Sequence, residues 1–406
     1  MIKLNALLKG NFYQHAIMKM KTLLKGNIRQ YVMIIALAVV IALFQILTDG
    51  ILLMPLNISN LIAQNSYVLI LATGMLLCIL TCGNIDLSVG SVAGFIGAVS
   101  AVLILKMDIP VFPAIMISLL IGVLIGCWHG FWIAYVGVPA FIATLAGMLI
   151  FRGLTLVILQ GTSLAPMPSS YTFFASGFIP DITYIPGINF LAILAGIVAS
   201  VLFILGEINS RSSKRKYKFD VIPIGMFIAK IMFIVIIINA LTYALAVHKG
   251  IPMVLVIVVA LVLIYSFITN KTIPGRHIYA YGGNPKAAKL SGVKTKKVLF
   301  WVYVNMGFLA ALAGIIFTGR LNSATPKSGL NFELDAIASC FIGGASTTGG
   351  IGTVVGAIVG GLLMGVLNNG MSIMGVSIDW QQAIKGFVLL AAVAFDVYSK
   401  SKSRSI

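Results

Sequence analysis

Asp86 stands in an oily tract. Leu69 to Cys82 and Leu87 to Leu105 are almost wholly apolar, and Gly83, Asn84 and Asp86 come between them. A carboxylate at the middle of a lipid-exposed helix costs about 2.5–3.5 kcal/mol on insertion scales, so the expected place for it is a break between helices. Gly83 and Asn84 favour a turn, which puts Asp86 at the start of the next helix. There its carboxylate, like the Ser88 hydroxyl, accepts from free backbone N–H groups and faces the positive helix end. Gly90, Gly94 and Gly97 follow and admit another helix at close range. Such a break is a capped turn, a wall of a path through the membrane, or both, since irregular backbone at membrane depth is tolerated where it is buried in protein or lines a cavity. The candidates for that wall are Asn84, Asp86, Ser88 and Gly90, with Glu333, Asp335, Gly343, Gly344 and Asn368 from the C-terminal third. Complementing a helix dipole also explains Glu333 and Asp335, which begin a short apolar run. Arg152 and Lys385 lie deep in apolar segments with no partner that the sequence names, and His129 beside Trp128 fits an interface. Cys78, Cys82, Cys127 and Cys340 also fall in apolar segments, without His or carboxylate at metal-ligand spacing, so they read as small core residues and no metal site is expected.

The elements that must hold these residues are membrane spans. The chain has 406 residues, 60% of them apolar and 9% charged, with a mean hydropathy of +1.06. A soluble domain cannot hide that much apolar surface. Stretches near 20 apolar residues, the length that crosses a hydrocarbon core as a helix, recur throughout, and the short alternating strands of a β-barrel are missing. The expected fold is an all-α polytopic membrane protein with about 12 spans, at 31–49, 60–81, 87–105, 111–133, 139–160, 189–206, 221–247, 251–268, 298–319, 334–348, 351–374 and 379–397. The run at 334–348 is short and passes into "GGASTTGGIG", so a segment that dips only partway or is broken is expected there. The 161–188 loop carries Pro166, Pro168, Pro180 and Pro186 and reads as turns rather than helix.

The net charge of +18 does not point to nucleic acid. Of 28 Lys and Arg, 21 fall in 1–30, 207–220, 269–297 and the tail after Tyr398, whereas 161–188 has none. That is the positive-inside pattern. It divides the chain into a basic cytoplasmic segment 1–30, one transmembrane domain 31–397 and a basic cytoplasmic tail 398–406. No G-x-x-x-x-G-K-[ST] loop is present, so if transport is ATP-driven the ATPase is another chain.

The loop 276–297, "RHIYAYGGNPKAAKLSGVKTKK", is the longest polar cytoplasmic stretch. Gly282-Gly283-Asn284 reads as a turn. Pro285 suits the first turn of a short helix to about Leu290, which Gly292 stops. Ala287, Ala288 and Leu290 give it a small apolar face and Lys286 and Lys289 a wet one. Unaided, it reads as an amphipathic helix on anionic headgroups.

The strings "GNIDLSVGSVAG", "TLAGMLIFRGLTL", "GRHIYAYGGNPKAAKLSGV", "ELDAIASCFIGGASTTGGIGTVVGAIVGGLLMGVLNNGM" and "DWQQAIKGFVLLAAVAFD" together resemble, in order, the permease subunits of ABC importers of the ribose/xylose/arabinose type. Three spans between the Pro-rich loop and the GGN loop, where ribose-type permeases have one, resemble the longer xylose and multiple-monosaccharide permeases: a core of about 10 spans plus 2. The resemblance implies a transporter subunit rather than an enzyme, in the inner membrane of a prokaryote, importing a monosaccharide. It implies an ABC ATPase carrying ATP and Mg, a periplasmic or lipoprotein sugar-binding protein, and a second copy of the permease as partners, with no cofactor on this chain. It also implies that the 269–297 loop couples to the ATPase, through Arg276, Tyr279, Gly282, Gly283, Asn284, Ala287, Ala288, Leu290 and Gly292. Sugar-facing candidates are Asn65, Tyr67, Asn305, Asn368 and Asn369. A secondary carrier using Asp86, Glu333 or Arg152 in ion coupling is the alternative, although the chain lacks two six-span halves divided by a long loop.

Overall fold

The computed structural model describes residues 33–181, 187–219 and 221–404. Its helices are α1 Met33–Leu47, α2 Pro55–Leu80, α3 Val89–Leu105, α4 Val111–Gly130, α5 Ala140–Leu159, α6 Ser169–Ser176, α7 Phe190–Lys216 and α8 Ile224–His248. They continue with α9 Met253–Lys271, α10 Ile273–Gly283, α11 Pro285–Leu290, α12 Thr295–Leu321, α13 Phe332–Ile342, α14 Val354–Ile373 and α15 Ile378–Arg404. Each apolar stretch singled out in the sequence carries one of them. Among the described residues, eight are long and apolar enough to cross a membrane, α4 being prolonged by one π-helical turn to Val136.

α2, α12 and α14 form the centre and are buried along most of their length, whereas α7, α8 and α9 leave most of theirs open. Small residues allow the tight packing. A Cβ on Gly126 of α4 would lie 2.6 Å from the Tyr303 carbonyl oxygen of α12, and one on Gly122 would lie 2.8 Å from that of Gly307. Lipid tails are as apolar as leucine, so close backbone approach, not hydrophobic drive, holds such a pair.

α7 and α8 form a hairpin at the rim. Lys230 pairs with Glu207 at 2.7 Å, Asn239 donates to Ser200 at 2.8 Å, and the Arg211 guanidinium lies 4.5 Å from the Phe227 ring centre. α8 also packs on α2, and α9 packs on α2, α10 and α14.

The run at 334–348 carries an 11-residue helix, about 16 Å long at 1.5 Å per residue, the short segment expected there. Three other sequence expectations change. The Pro-rich outer loop contains the two-turn helix α6, formed in the proline-free interval after Pro168 and anchored by buried Tyr171, whose hydroxyl meets Ser100 Oγ at 2.7 Å. α7 runs ten residues past the expected end because "GEINSRSSKRK" contains good helix formers and no proline. α15 continues to Arg404 through most of the expected tail. The basic segment 1–30 lies outside the described residues.

Candidate functional site

Three separate stretches meet at one knot of backbone. α2 ends where Cys82 and Gly83 take left-handed conformations, φ 65 and 72°, and the Asn84 amide donates to the Thr81 carbonyl at 2.7 Å. The loop after α13 passes beside this end, and Gly350 N–H donates to Leu80 O at 3.0 Å. The C-terminal end of α10 closes the third side. The Cys82 thiol donates to Tyr281 O at 3.3 Å, and the Tyr279 hydroxyl to Gly352 O at 2.7 Å. Burial pushes the Tyr279 and Tyr281 hydroxyls above the ordinary tyrosine range, which keeps Tyr279 a protonated donor. No side chain separates the segments. A Cβ on Gly282 would collide with Leu80 O and lie 2.6 Å from Gly350 N, and one on Gly83 would collide with the Thr347 carbonyl. The loop that resembles a coupling element is thus joined by backbone to both breaks, the one before α3 and the one between α13 and α14.

α11 projects from this knot. The Asn284 side chain caps it, accepting from Ala287 N–H at 3.0 Å, and Gly292 stops it at φ 86°. Ala287 and Leu290, three residues apart, share a face, and Leu290 is 90% exposed. Ala288 lies on the opposite side and is 5% exposed, packed against its own chain. This corrects the expectation that Ala288 belongs to the presented face: at 100° per residue it cannot share one with Leu290. Arg276, Gly283 and Asn284 are exposed with the presented face, while Tyr279 and Gly282 belong to the knot.

Deeper in the bundle, the starts of α3 and α13 meet. Gly90, the second residue of α3, lies against Glu333, the second of α13, and against Gly329. α3 then rises along the far half of α12, with Ala93 beside Gly314 and Gly97 beside Thr318. Asp86 is 2% exposed and accepts from Ser88 N–H at 2.8 Å and Ser88 Oγ at 2.6 Å. Asp86 thus holds the turn into α3 as expected of it, and Ser88 turns its hydroxyl to Asp86 rather than to the helix.

The structure supplies partners that the sequence does not name. Lys385 Nζ pairs with Asp335 at 3.0 Å, and the Arg152 guanidinium lies 3.9 Å from Glu333. Tyr67 donates to Asp335 at 3.5 Å and stacks on Phe332 with ring centres 4.0 Å apart, while Phe317 meets both edge-on. A cavity of about 200 Å³ between α13, α14 and α15 borders Asp335 and Lys385. Gly343 is backbone packing against Gly356 of α14, Gly344 lies in the left-handed turn that ends α13, and Asn368 is half-buried on α14. Asn369 pairs with Asn57 at 2.8 Å, Asn65 donates to Gly361 O at 2.7 Å, and His129 is buried against Gly147 of α5. These links join residues up to 312 positions apart, and no local pattern could have announced them.

Comparison with known proteins decides what this arrangement belongs to. Residues 57–393 match the family described as branched-chain amino acid transport system / permease component. The xylose transport system permease protein of Haemophilus influenzae is 38% identical over 372 residues, covering 92% of this chain and 97% of the relative. The chain belongs to the ribose/xylose-type ABC permease family. The Escherichia coli xylose transport system permease protein is 36% identical, over 92% of this chain and 93% of its own. The ribose import permease protein of Haemophilus influenzae is 34% identical, over 91% and 93%. No solved structure matches. This permease is accordingly a multi-pass membrane protein and a transport subunit, not an enzyme.

Proposed function

We propose that the permease forms the membrane path of an ABC importer for a pentose, with xylose first and ribose next. The full-length similarity to xylose and ribose permeases supports that sugar class. The observation that carries the mechanism is the backbone knot. A separate ATPase, holding ATP and Mg, docks on the Ala287–Leu290 face of α11. Its closure moves α10, and Gly282 transmits the displacement to Leu80 and Gly350 without a compressible side chain between them. Both breaks then move together, and with them the meeting point of α3 and α13.

The half-exposed Arg152 supports a second copy of the chain as partner. Midway along α5, its side chain keeps 35% of its surface open, and a guanidinium facing lipid there is costly. That face, with Glu333 behind it, borders an aqueous path shared by two copies. A substrate-binding protein delivers the sugar from outside, and both termini lie in the cytoplasm, where the basic flanks place them. The test is uptake into proteoliposomes containing the permease, its ATPase and the binding protein, with labelled xylose, ribose, arabinose, galactose and glucose. Uptake of a pentose that needs both ATP and the binding protein is expected. Uptake by the permease alone on a proton or sodium gradient would instead establish a secondary carrier.

A further inference from the structure

A crevice of about 480 Å³ opens between α9, α10 and α12, beside the first turn of α12. Its walls are mostly apolar, with Ile268, Ile278 and Val302 among them, and Lys294, Lys297 and His277 also line it. We propose that this crevice holds one anionic phospholipid, its acyl chain between α9 and α12 and its phosphate at Lys294 and Lys297.

Two independent features call for an anion. The first is that α12 begins with its cations at the wrong end. Lys294 precedes the helix without a side-chain cap, Lys296 and Lys297 occupy the first turn, and no acidic residue is there. The positive end of a helix disfavours such neighbours and favours an anion. The second is that no counter-ion pairs with these lysines among the described residues. The sequence has no Asp or Glu from 221 to 332. A general excess of cytoplasmic lysine explains their sign. It does not explain why two of them line an apolar cavity. Small-molecule sites run from about 300 to 1,000 Å³, so the volume suits a chain rather than a few waters.

The charge pattern selects the occupant. The basic segment 1–30 has six Lys or Arg and no carboxylate, so these lysines repel it. A free phosphate would leave the apolar walls uncovered. A phospholipid of the anionic cytoplasmic leaflet satisfies both halves, and the exposed Trp301 at the crevice suits the interfacial region where that leaflet's headgroups lie. The position has a mechanical consequence. Ile278 and His277 line the crevice from α10, next in sequence to Tyr279, which bonds Gly352, so the lipid is a spacer between α10 and α12 behind the knot.

The test uses the full-length permease in phosphatidylcholine nanodiscs containing a trace of phosphatidylglycerol with a photoreactive acyl chain, and cross-links are mapped by mass spectrometry. Cross-links should concentrate on the α9 and α12 segments around Ile268 and Val302, and should fall about tenfold or more in Lys294→Gln/Lys297→Gln, whose changes lie on exposed side chains. Photoreactive phosphatidylcholine should not label the same segments preferentially. Equal labelling by the two lipids in the unaltered protein, or unchanged phosphatidylglycerol labelling in the double variant, would overturn the assignment. Loss of the label on adding glycerol 3-phosphate would also overturn it, by making the site one for a soluble anion. Because the readout is bound lipid and not transport, it is independent of which solute the permease carries.

Discussion

Gly282→Ala adds one methyl group at the knot. The new Cβ lands on the Leu80 carbonyl oxygen, 2.6 Å from Gly350 N and 2.9 Å from Gly350 Cα. All three are backbone atoms, so no rotamer change relieves the clash. Overpacking of this kind costs about 1–3 kcal/mol. The Leu80 carbonyl also holds the Gly350 N–H at 3.0 Å, and prising that pair apart leaves polar groups unpaired, at about 1–3 kcal/mol. One displacement relieves both strains, so the two figures overlap, and about 2 kcal/mol, the middle of either range, is the working value. Each 1.4 kcal/mol is a factor of ten, so uptake should fall at least about tenfold.

The ATPase should still co-purify with Gly282→Ala, since Ala287 and Leu290 are untouched. ATP should still be hydrolysed, but the sugar-loaded binding protein should no longer accelerate it. Gly225→Ala, at the start of α8 and outside the coupling loop, is the internal control. That glycine has no atom within 4 Å of its would-be Cβ, so it should transport within about twofold of the unaltered permease, as expected of a surface change. Equal uptake by the Gly282 and Gly225 variants at matched membrane levels would refute transmission through the knot.

Three further outcomes follow from the same geometry. Leu290→Asp should weaken ATPase binding about tenfold or more without lowering thermal stability, because the side chain is 90% exposed; Ala288→Arg should lower stability as well, since Ala288 packs inward. Thermal melting in detergent should show Asp335→Asn destabilised by about 3 kcal/mol, as breaking a buried ion pair does, and Asp335→Asn/Lys385→Met substantially recovered; no recovery would mean that the 3.0 Å pair is not the cause. Tyr279→Phe should reduce uptake about fivefold by removing the donor to Gly352 O, worth about 1 kcal/mol. Burial raises the Tyr279 pKa, so the neutral hydroxyl persists below that raised value, and this donor should impose no loss of uptake up to about pH 10.

The sequence is most legible where the physics is local. Apolar length places the spans, Gly83 and Asn84 place the break before α3, and Asn284 with Pro285 places the start of α11. The same local reading misses α6, because four prolines in one loop mask a proline-free interval long enough for two turns. It also misplaces Ala288. A six-residue helix is too short for periodicity to say which side faces the chain, and only the contact with the rest of the fold decides it. The pairing of Asp335 with Lys385 leaves no trace in spacing at all. What the sequence does carry is the need for a partner: an ionisable residue in an apolar run must be satisfied somewhere.

The glycines make a further distinction between packing and transmission. Gly122 and Gly126 let two whole helices lie together, and such contacts extend along an interface that resists relative motion. Gly282 and Gly83 instead sit at helix ends, where α10 and α2 stop and the backbone is already irregular. A contact between helix ends moves the ends without separating the helices. The electrostatics act at a second place. α3 and α13 begin beside one another, so two positive helix ends converge inside the bundle, and Asp86 on one side with Glu333 and Asp335 on the other offset them. Continuous helices would have avoided three buried carboxylates. Their presence is the electrostatic consequence of starting two helices side by side inside the bundle.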